Sequence, residues 1–209
     1  LSQIKMSLEI LHNRAEHTHE NEQFRRCALE LQTIFSQRNW DGLFIGNPFN
    51  DNYHRFRADA ILCYNHGLIL IDFKDYQGVI HLPPNDEEFQ NTKWYSESSE
   101  DKSRIEIKAG SRFINPFRQL KAYREAFYEI IEKNMYLNGS VNASRVAIAN
   151  IFSGPVEVVN NIPGSLRYYK LVQESELATF LYDFASENKF SHEIANALKV
   201  VFPSSKWEE

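Results

Sequence analysis

Two short apolar runs, Ala58 to Tyr64 and Leu68 to Phe73, are separated only by Asn65-His66-Gly67. Two such runs joined by turn residues predict a β-hairpin. Alternate residues of a strand share a face, so Leu68, Leu70, Asp72 and Lys74 point the same way. The first two suit a core, the last two a polar edge. If Asn65 and His66 make a two-residue loop, Tyr64 pairs with Gly67 and Asp59 falls opposite Asp72; a longer loop shifts this by a residue or two. Directly opposed residues have Cβ atoms about 4.5–5.5 Å apart, and like charges there repel. Two carboxylates so placed need a shared proton or a cation between them. A divalent ion with oxygen ligands meets that need, and Mg²⁺ typically takes one or two carboxylates. Lys74, one pleat further on, is placed to stabilise charge on a phosphoryl group. Asp-x-Lys alone is an ordinary surface ion pair. The opposed Asp59 is what turns it into a candidate site.

Around this hairpin the periodicity predicts an α/β (α+β) domain, a central mixed sheet flanked by helices. Ile4, Leu8 and Leu11 fit a helix from Leu1 to about Arg14. A second helix is expected from about Asn21 to Phe35, with Phe24, Cys27, Ala28, Leu31 and Phe35 inward. Trp40 to Phe49 suits a turn and strand, and Val79 to Leu82 a short strand. Residues 83–104 are polar enough for an exposed loop around a short strand at Trp94-Tyr95. Asn115-Pro116 is a strong helix start, with an apolar stripe running on to Asn138-Gly139. Strands are expected at Arg145 to Phe152 and Leu166 to Val172, then helices near Glu176 to Ala185 and Ser191 to Val200. Residues 1–38 are expected as an N-terminal helical segment, 39–153 as the core, and 154–209 as a strand and helices packed on the same domain.

Composition narrows the function classes. At 209 residues with 43% hydrophobic content the chain can build one real core. No apolar run reaches membrane-spanning length, and Glu9, His12, Arg14 and Glu16 interrupt any signal peptide. Cys27 and Cys63 sit in apolar patterns and are expected as buried free thiols, as in a cytoplasmic protein. A net charge of −5 argues against a protein that coats nucleic acid. Arg55, Arg57, Lys108, Arg112, Arg118, Lys121 and Arg124 could still form a local basic strip, or be scattered solubilising charge. The chain starts at Leu1 rather than Met and stops soon after Pro203, as expected of a piece of a longer protein.

From Trp40 to Phe152 the sequence resembles the nuclease-related domain, NERD, a branch of the PD-(D/E)xK nuclease superfamily. The resemblance is carried by Arg57-Ala58-Asp59-Ala60-Ile61-Leu62 and Gly67-Leu68-Ile69-Leu70-Ile71-Asp72-Phe73-Lys74. Gly78-Val79-Ile80, Trp94, Asn115-Pro116-Phe117-Arg118-Gln119 and the strand Arg145 to Phe152 follow in order. Two departures stand: Asp72 where the family usually has Glu, and Arg57-Ala58-Asp59 in place of a Gly-Glu-Ile-Asp approach. The resemblance implies a restriction-endonuclease-like core and a phosphodiester hydrolase, of DNA by endonucleolytic cleavage, working with Mg²⁺ or Mn²⁺. Asp59 and Asp72 would be metal ligands, and Lys74 would assist the attack on phosphorus. It also implies a glutamate from the first helix as a ligand or ligand orienter. Glu22 fits that role with Glu20 as fallback, and Glu16 and Glu30 are neighbours that compete for it. Gln119 would hold a phosphate or the lysine from the first turn of a capped helix.

Other chemistries find little support. His12, His17 and His19 cluster, but no Cys-x-x-Cys or His-Glu-x-x-His pattern accompanies them. His54 and His66 are expected in surface loops. Gly-x-Gly-x-x-Gly, Walker A and Gly-x-Ser-x-Gly patterns are all missing. Trp94 and Tyr168-Tyr169 could stack on bases, though aromatics in strands more often fill cores. Two readings remain. One is a nuclease acting on DNA, with a helicase segment as fused or associated partner and a homodimer if both strands are cut. The other is a catalytically silent module that docks nucleic acid or protein within a helicase- or kinase-linked chain.

Overall fold

A strand apolar on both faces has to be covered on both faces, and Gly67–Lys74 is buried along its whole length. The computed structural model describes residues 8–209. In chain order these form β1 (Leu8–His12), α1 (Thr18–Arg38), β2 (Gly42–Gly46), β3 (Ala60–Tyr64), β4 (Gly67–Lys74) and β5 (Gly78–His81). Then come α2 (Asp86–Asn91), β6 (Tyr95–Glu97), β7 (Arg104–Glu106), α3 (Pro116–Lys133), α4 (Met135–Ser140), β8 (Ala147–Phe152) and β9 (Val156–Val159). Last are β10 (Tyr169–Gln173), α5 (Leu177–Asp183), α6 (His192–Val201) and β11 (Ser205–Lys206).

Seven strands form a mixed sheet in the order β10-β8-β4-β3-β2-β1-β11. The β4–β8, β8–β10 and β1–β2 pairs are parallel; β2–β3, β3–β4 and β1–β11 are antiparallel. The two faces carry separate cores. On one, Leu68 and Leu70 of β4 meet Phe117, Leu120 and Phe127 of α3 and Leu198 of α6. On the other, Ile69, Ile71 and Phe73 meet Phe24, Cys27, Leu31 and Phe35 of α1 and Leu181 of α5. Each such Leu, Ile or Phe contributes about 1.5–3 kcal/mol on burial, so β4 alone anchors both layers. This α/β architecture, a mixed sheet between helices, fits a restriction-endonuclease-like core. Cys27 and Cys63 are buried and free, on opposite faces.

Of the N-terminal helix expected over Leu1 to Arg14, residues 1–7, Ile4 included, lie outside the described residues, and over the described part Leu8–His12 is a strand instead. Leu8 and Ile10 are both buried, a two-residue period that the three residues from Leu8 to Leu11 had disguised as a helical one. The stretch 83–104 is likewise more ordered than a loop. Phe89 of α2 and Trp94 are buried against each other, and the Trp94 indole donates to the Phe89 carbonyl at 3.1 Å. The helix expected to run to Gly139 stops at Lys133, because the Asn134 carboxamide accepts from the Tyr136 and Leu137 amides and restarts the chain as α4.

A second sheet, β7-β6-β5-β9, continues the first. The parallel pair β4–β8 runs on into the parallel pair β5–β9, joined by Ser153 N–H to Lys74 O at 2.9 Å and Gly78 N–H to Pro155 O at 3.0 Å. Residues 75–77 bend between the sheets. Gly78 takes up the bend with φ 108°, and a Cβ there would lie 2.4 Å from the Glu97 carbonyl oxygen. Gly78→Ala is therefore expected to cost about 2 kcal/mol or more, seen as a lower denaturant midpoint.

Candidate active site

The hairpin closes as the two-residue loop requires: Tyr64 pairs with Gly67 and Ala60 with Ile71. One step further the ladder gives way to side chains. The Asp59 amide still donates to the Ile71 carbonyl at 2.9 Å, while the Asp59 carboxyl accepts from the Phe73 amide at 2.7 Å. This leaves the Asp59 and Asp72 carboxyls side by side on the same cleft, each within the other's field. Burial and the neighbouring charges of Asp72 and Glu20 push the Asp59 carboxyl well above its ordinary range, against the Phe73 amide, which favours the ionised form.

Asp72 is only 3% exposed and Lys74 7%. The Lys74 ammonium lies 2.8 Å from Asp72 Oδ2 and donates at 2.8 Å to Gln119 Oε1. The Gln119 amide is oriented in turn by its own donation to the Tyr123 hydroxyl at 3.3 Å, one turn along α3. Asn115 caps that helix by accepting from Arg118 N–H. Its amide also donates to the carbonyls of Phe89, Gln90 and Thr92, fastening α2 to the start of α3. Asn115 is thus a structural clamp. Ammonium has three N–H donors; two serve Asp72 and Gln119, and one remains for the cleft.

The acids of α1 separate sharply. The inner stripe of the helix is Gln23, Phe24, Cys27, Ala28 and Leu31. Glu20 precedes Gln23 by three residues and Phe24 by four, so it falls on that stripe, at the rim of the cleft. Its carboxyl is raised by burial, lowered by His17 and His19, and senses Asp72 and Lys74. Glu22 is two residues on, more than half a turn away. It is exposed and outside the cleft, so the structure does not bring Glu22 to Asp59 and Asp72. Glu16 lines the outer cleft, and Glu30 lies exposed two turns further along the helix. Among the described residues no three His, Cys, Asp or Glu side chains are assembled at metal-ligand spacing; the acids set side by side are the pair Asp59 and Asp72. His66 is not free in a loop. Its Nδ1 lies 3.1 Å from the Leu181 carbonyl and its ring packs on Trp40.

The cleft above these groups has a volume of about 1100 Å³, with His17, His19, Arg57 and Lys108 on its walls. The sequence carries the matching signature across this same region: a model of the nuclease-related domain matches residues 16–148, well over half the chain. The chain belongs to the nuclease-related domain family. No curated protein and no solved structure matches it.

In this nuclease-related domain the matched span includes Glu20, Asp59, Asp72, Lys74 and Gln119, but Asn150 and Gln23 also build the site without having been expected there, and Tyr169 does so in a role other than the base stacking considered for it. Asn150, fully buried on β8 opposite Asp72, donates to Asp72 Oδ2 at 3.0 Å. Tyr169 of β10 donates to Asn150 Oδ1 at 2.8 Å, fixing which end of the amide faces the acid. Gln23 donates from Nε2 to the Lys74 carbonyl at 3.1 Å, and its buried Oε1 has no partner among the described residues. Trp94 and Tyr169 are core aromatics, not stacking platforms. No helix of the described residues is long and apolar enough to cross a membrane.

Two ionised carboxylates about 4 Å apart at an effective dielectric of about 20 repel by about 4 kcal/mol. Keeping one protonated at neutral pH, well above its ordinary range, is costly as well. The pair is therefore strained whether or not one carboxyl keeps its proton. Because the Asp59 pKa is raised in the folded state, its protonation favours folding below about pH 4, and that contribution is lost as pH rises through the folded value. Asp59→Asn keeps an acceptor for Phe73 N–H and offers Asp72 a donor. In EDTA at pH 7.5 it is expected to stabilise the protein by about 1–2 kcal/mol, a gain that shrinks in melts at pH 4.

Proposed function

We propose that this cleft hydrolyses phosphodiester bonds in DNA, cutting within the chain and working with Mg²⁺ or Mn²⁺. The observation that carries the reading is that the β3–β4 pairing sets Asp59 beside Asp72 on the cleft wall, with Lys74 next to them. A fold has no structural use for two strained acids, whereas hard carboxylate oxygens suit Mg²⁺ or Mn²⁺. Asp59 and Asp72 would hold the ion, with Glu20 rather than Glu22 at the rim as the helix acid. The ion, when bound, supplies charge neutralisation at the phosphoryl group and a water acidified toward neutral pH.

The chain's own groups do the rest. Asn150 and Tyr169 hold Asp72 in one rotamer, so its carboxylate needs no reorganisation. Gln119 holds Lys74, whose remaining N–H is available to a non-bridging phosphate oxygen, where charge grows in the transition state. Burial of Asp72 and Lys74 lowers the local dielectric and strengthens both effects.

One observation favours a silent docking module instead: Asp72 is already engaged by Lys74 and Asn150, and among the described residues no third ligand is assembled with the pair. The two readings part in one assay. Supercoiled plasmid and a single-stranded oligonucleotide are incubated with Mg²⁺ or Mn²⁺, with EDTA and Asp72→Asn as controls. Cleavage is expected from wild type, abolished by EDTA and reduced about a thousandfold or more by Asp72→Asn and by Lys74→Gln. Absence of both cleavage and calorimetric Mn²⁺ binding would leave the docking module.

A further inference from the structure

The cleft does not end at the acids. A second groove of about 820 Å³ opens beside it, and His54, Arg57, Gly110 and Tyr123 line both. The two form one track, running from Asp59 and Asp72 along α3 between the 52–57 and 110–113 segments. Arg55 and Arg112 stand on the walls of the second groove and Arg57 at the junction, all exposed. Among the described residues none of the three has a carboxylate partner within salt-bridge distance. The far wall carries Glu125 and Glu129, the latter paired with Lys133 at 2.7 Å. Of the basic residues read from the sequence, Arg55, Arg57 and Arg112 therefore gather here, while Lys108 lines the first cleft and pairs with Glu106. Arg124 is turned away: it donates to the Val146 and Ser144 carbonyls and lies over Tyr168.

Aromatic surface accompanies this charge. Phe49 is 37% exposed on the cleft wall, and the Arg57 guanidinium sits over its ring, 5.3 Å from the centroid. Arg57 is fixed there by donating to the His54 carbonyl at 3.0 Å. Phe113, partly buried, lines the second groove.

We infer that the Phe49–Arg57–Arg55–Arg112 track binds single-stranded nucleic acid, so that the substrate reaches the acids as an unpaired strand. The inference rests on the hydrolase reading for the bond that is cut, and on its own geometry for the strand. A cationic groove with exposed aromatic rings is how unpaired strands are held, backbone along the charge and bases on the rings. Duplex binding draws most of its affinity from many neutralised phosphates; this chain has net charge −5 and few free cations here. A strand able to leave base pairing can also lower its phosphate onto Asp72 and Lys74, which lie at the cleft floor.

The test is fluorescence anisotropy in EDTA with labelled single-stranded DNA, single-stranded RNA and a blunt hairpin duplex across a NaCl series. Single strands are expected to bind at least about tenfold tighter than the duplex. The log–log salt slope should be about −2, from three contacts at about 0.7 each. Phe49→Ala should weaken single-strand binding about tenfold, and Arg55→Ser with Arg112→Ser should flatten the slope by more than one unit. All three positions are exposed, and thermal melts verify that the variants fold. The DNA and RNA arms decide which strand is preferred. Equal or tighter duplex binding, no binding to any strand, or variants indistinguishable from wild type would overturn the track. Adding Mg²⁺ to the same labelled strands tests cleavage separately. A protein that binds single strands but neither cuts them nor takes up Mn²⁺ refutes the hydrolase and keeps the track; one that cuts duplex while the variants have no effect does the reverse.

Discussion

Two like charges are held together at the mouth of this fold by the pairing of two strands. β3 and β4 are in register because Asn65 and His66 close the loop between them, and that register brings Asp59 to Asp72. Neither acid can relax away. Asp59 is tied by its side chain to the Phe73 amide, and Asp72 lies between Lys74 and Asn150 on a strand buried on both faces. Moving either would shift β4, and with it the packing of α1 on one side and α3 on the other. The apolar core sets the position of the acids, and their repulsion draws on its stability. That is the usual relation between a prepared active site and the scaffold that carries it.

Much of this was legible in the sequence, for identifiable reasons. The hairpin and its loop are local, so counting from Asn65 was enough to oppose Asp59 and Asp72. The cap at Asn115 and Pro116 is also local, and it puts Gln119 in the first turn of α3. What escaped depends on contacts distant in sequence or on helix phase. Gln119 and Lys74 are brought together only by packing of α3 on the sheet. Asn150 meets Asp72 through a parallel pairing that no loop length encodes. A signal for it did exist: Asn150 is the one polar residue inside the buried run Ala147 to Phe152, and a buried amide needs partners. The preference for Glu22 over Glu20 came from the family's spacing, which does not follow the phase of the inner stripe that Phe24, Cys27 and Leu31 set. A two-residue error is more than half a turn, enough to send a carboxylate from the cleft to solvent.

The second sheet was half legible: short strands were expected at Val79 to Leu82 and at Trp94-Tyr95, while β7 and β9 and the pairing that joins all four were not. Its strands are three or four residues long and interleaved with polar turns, so alternation alone does not tie them into a sheet. What orders them is their pairing as an extension of the main sheet, together with Phe89 and Trp94 beneath. The same logic applies to β11, whose two residues gain their order from β1. Short strands take their structure from neighbours already in place.

Lys74 is the last residue of β4, and the chain bends immediately after it into a sheet that carries none of Asp59, Asp72 and Lys74. The candidate site therefore sits at a seam between two pieces of architecture. On one side of the seam a substitution disturbs both the packing of two cores and the placement of the acids. On the other, exposed side chains and turn lengths can change without reaching the acids, so long as Gly78 and the buried Phe89 and Trp94 keep the strands in place. A plan of this kind sets adaptable surface only a few residues from Lys74.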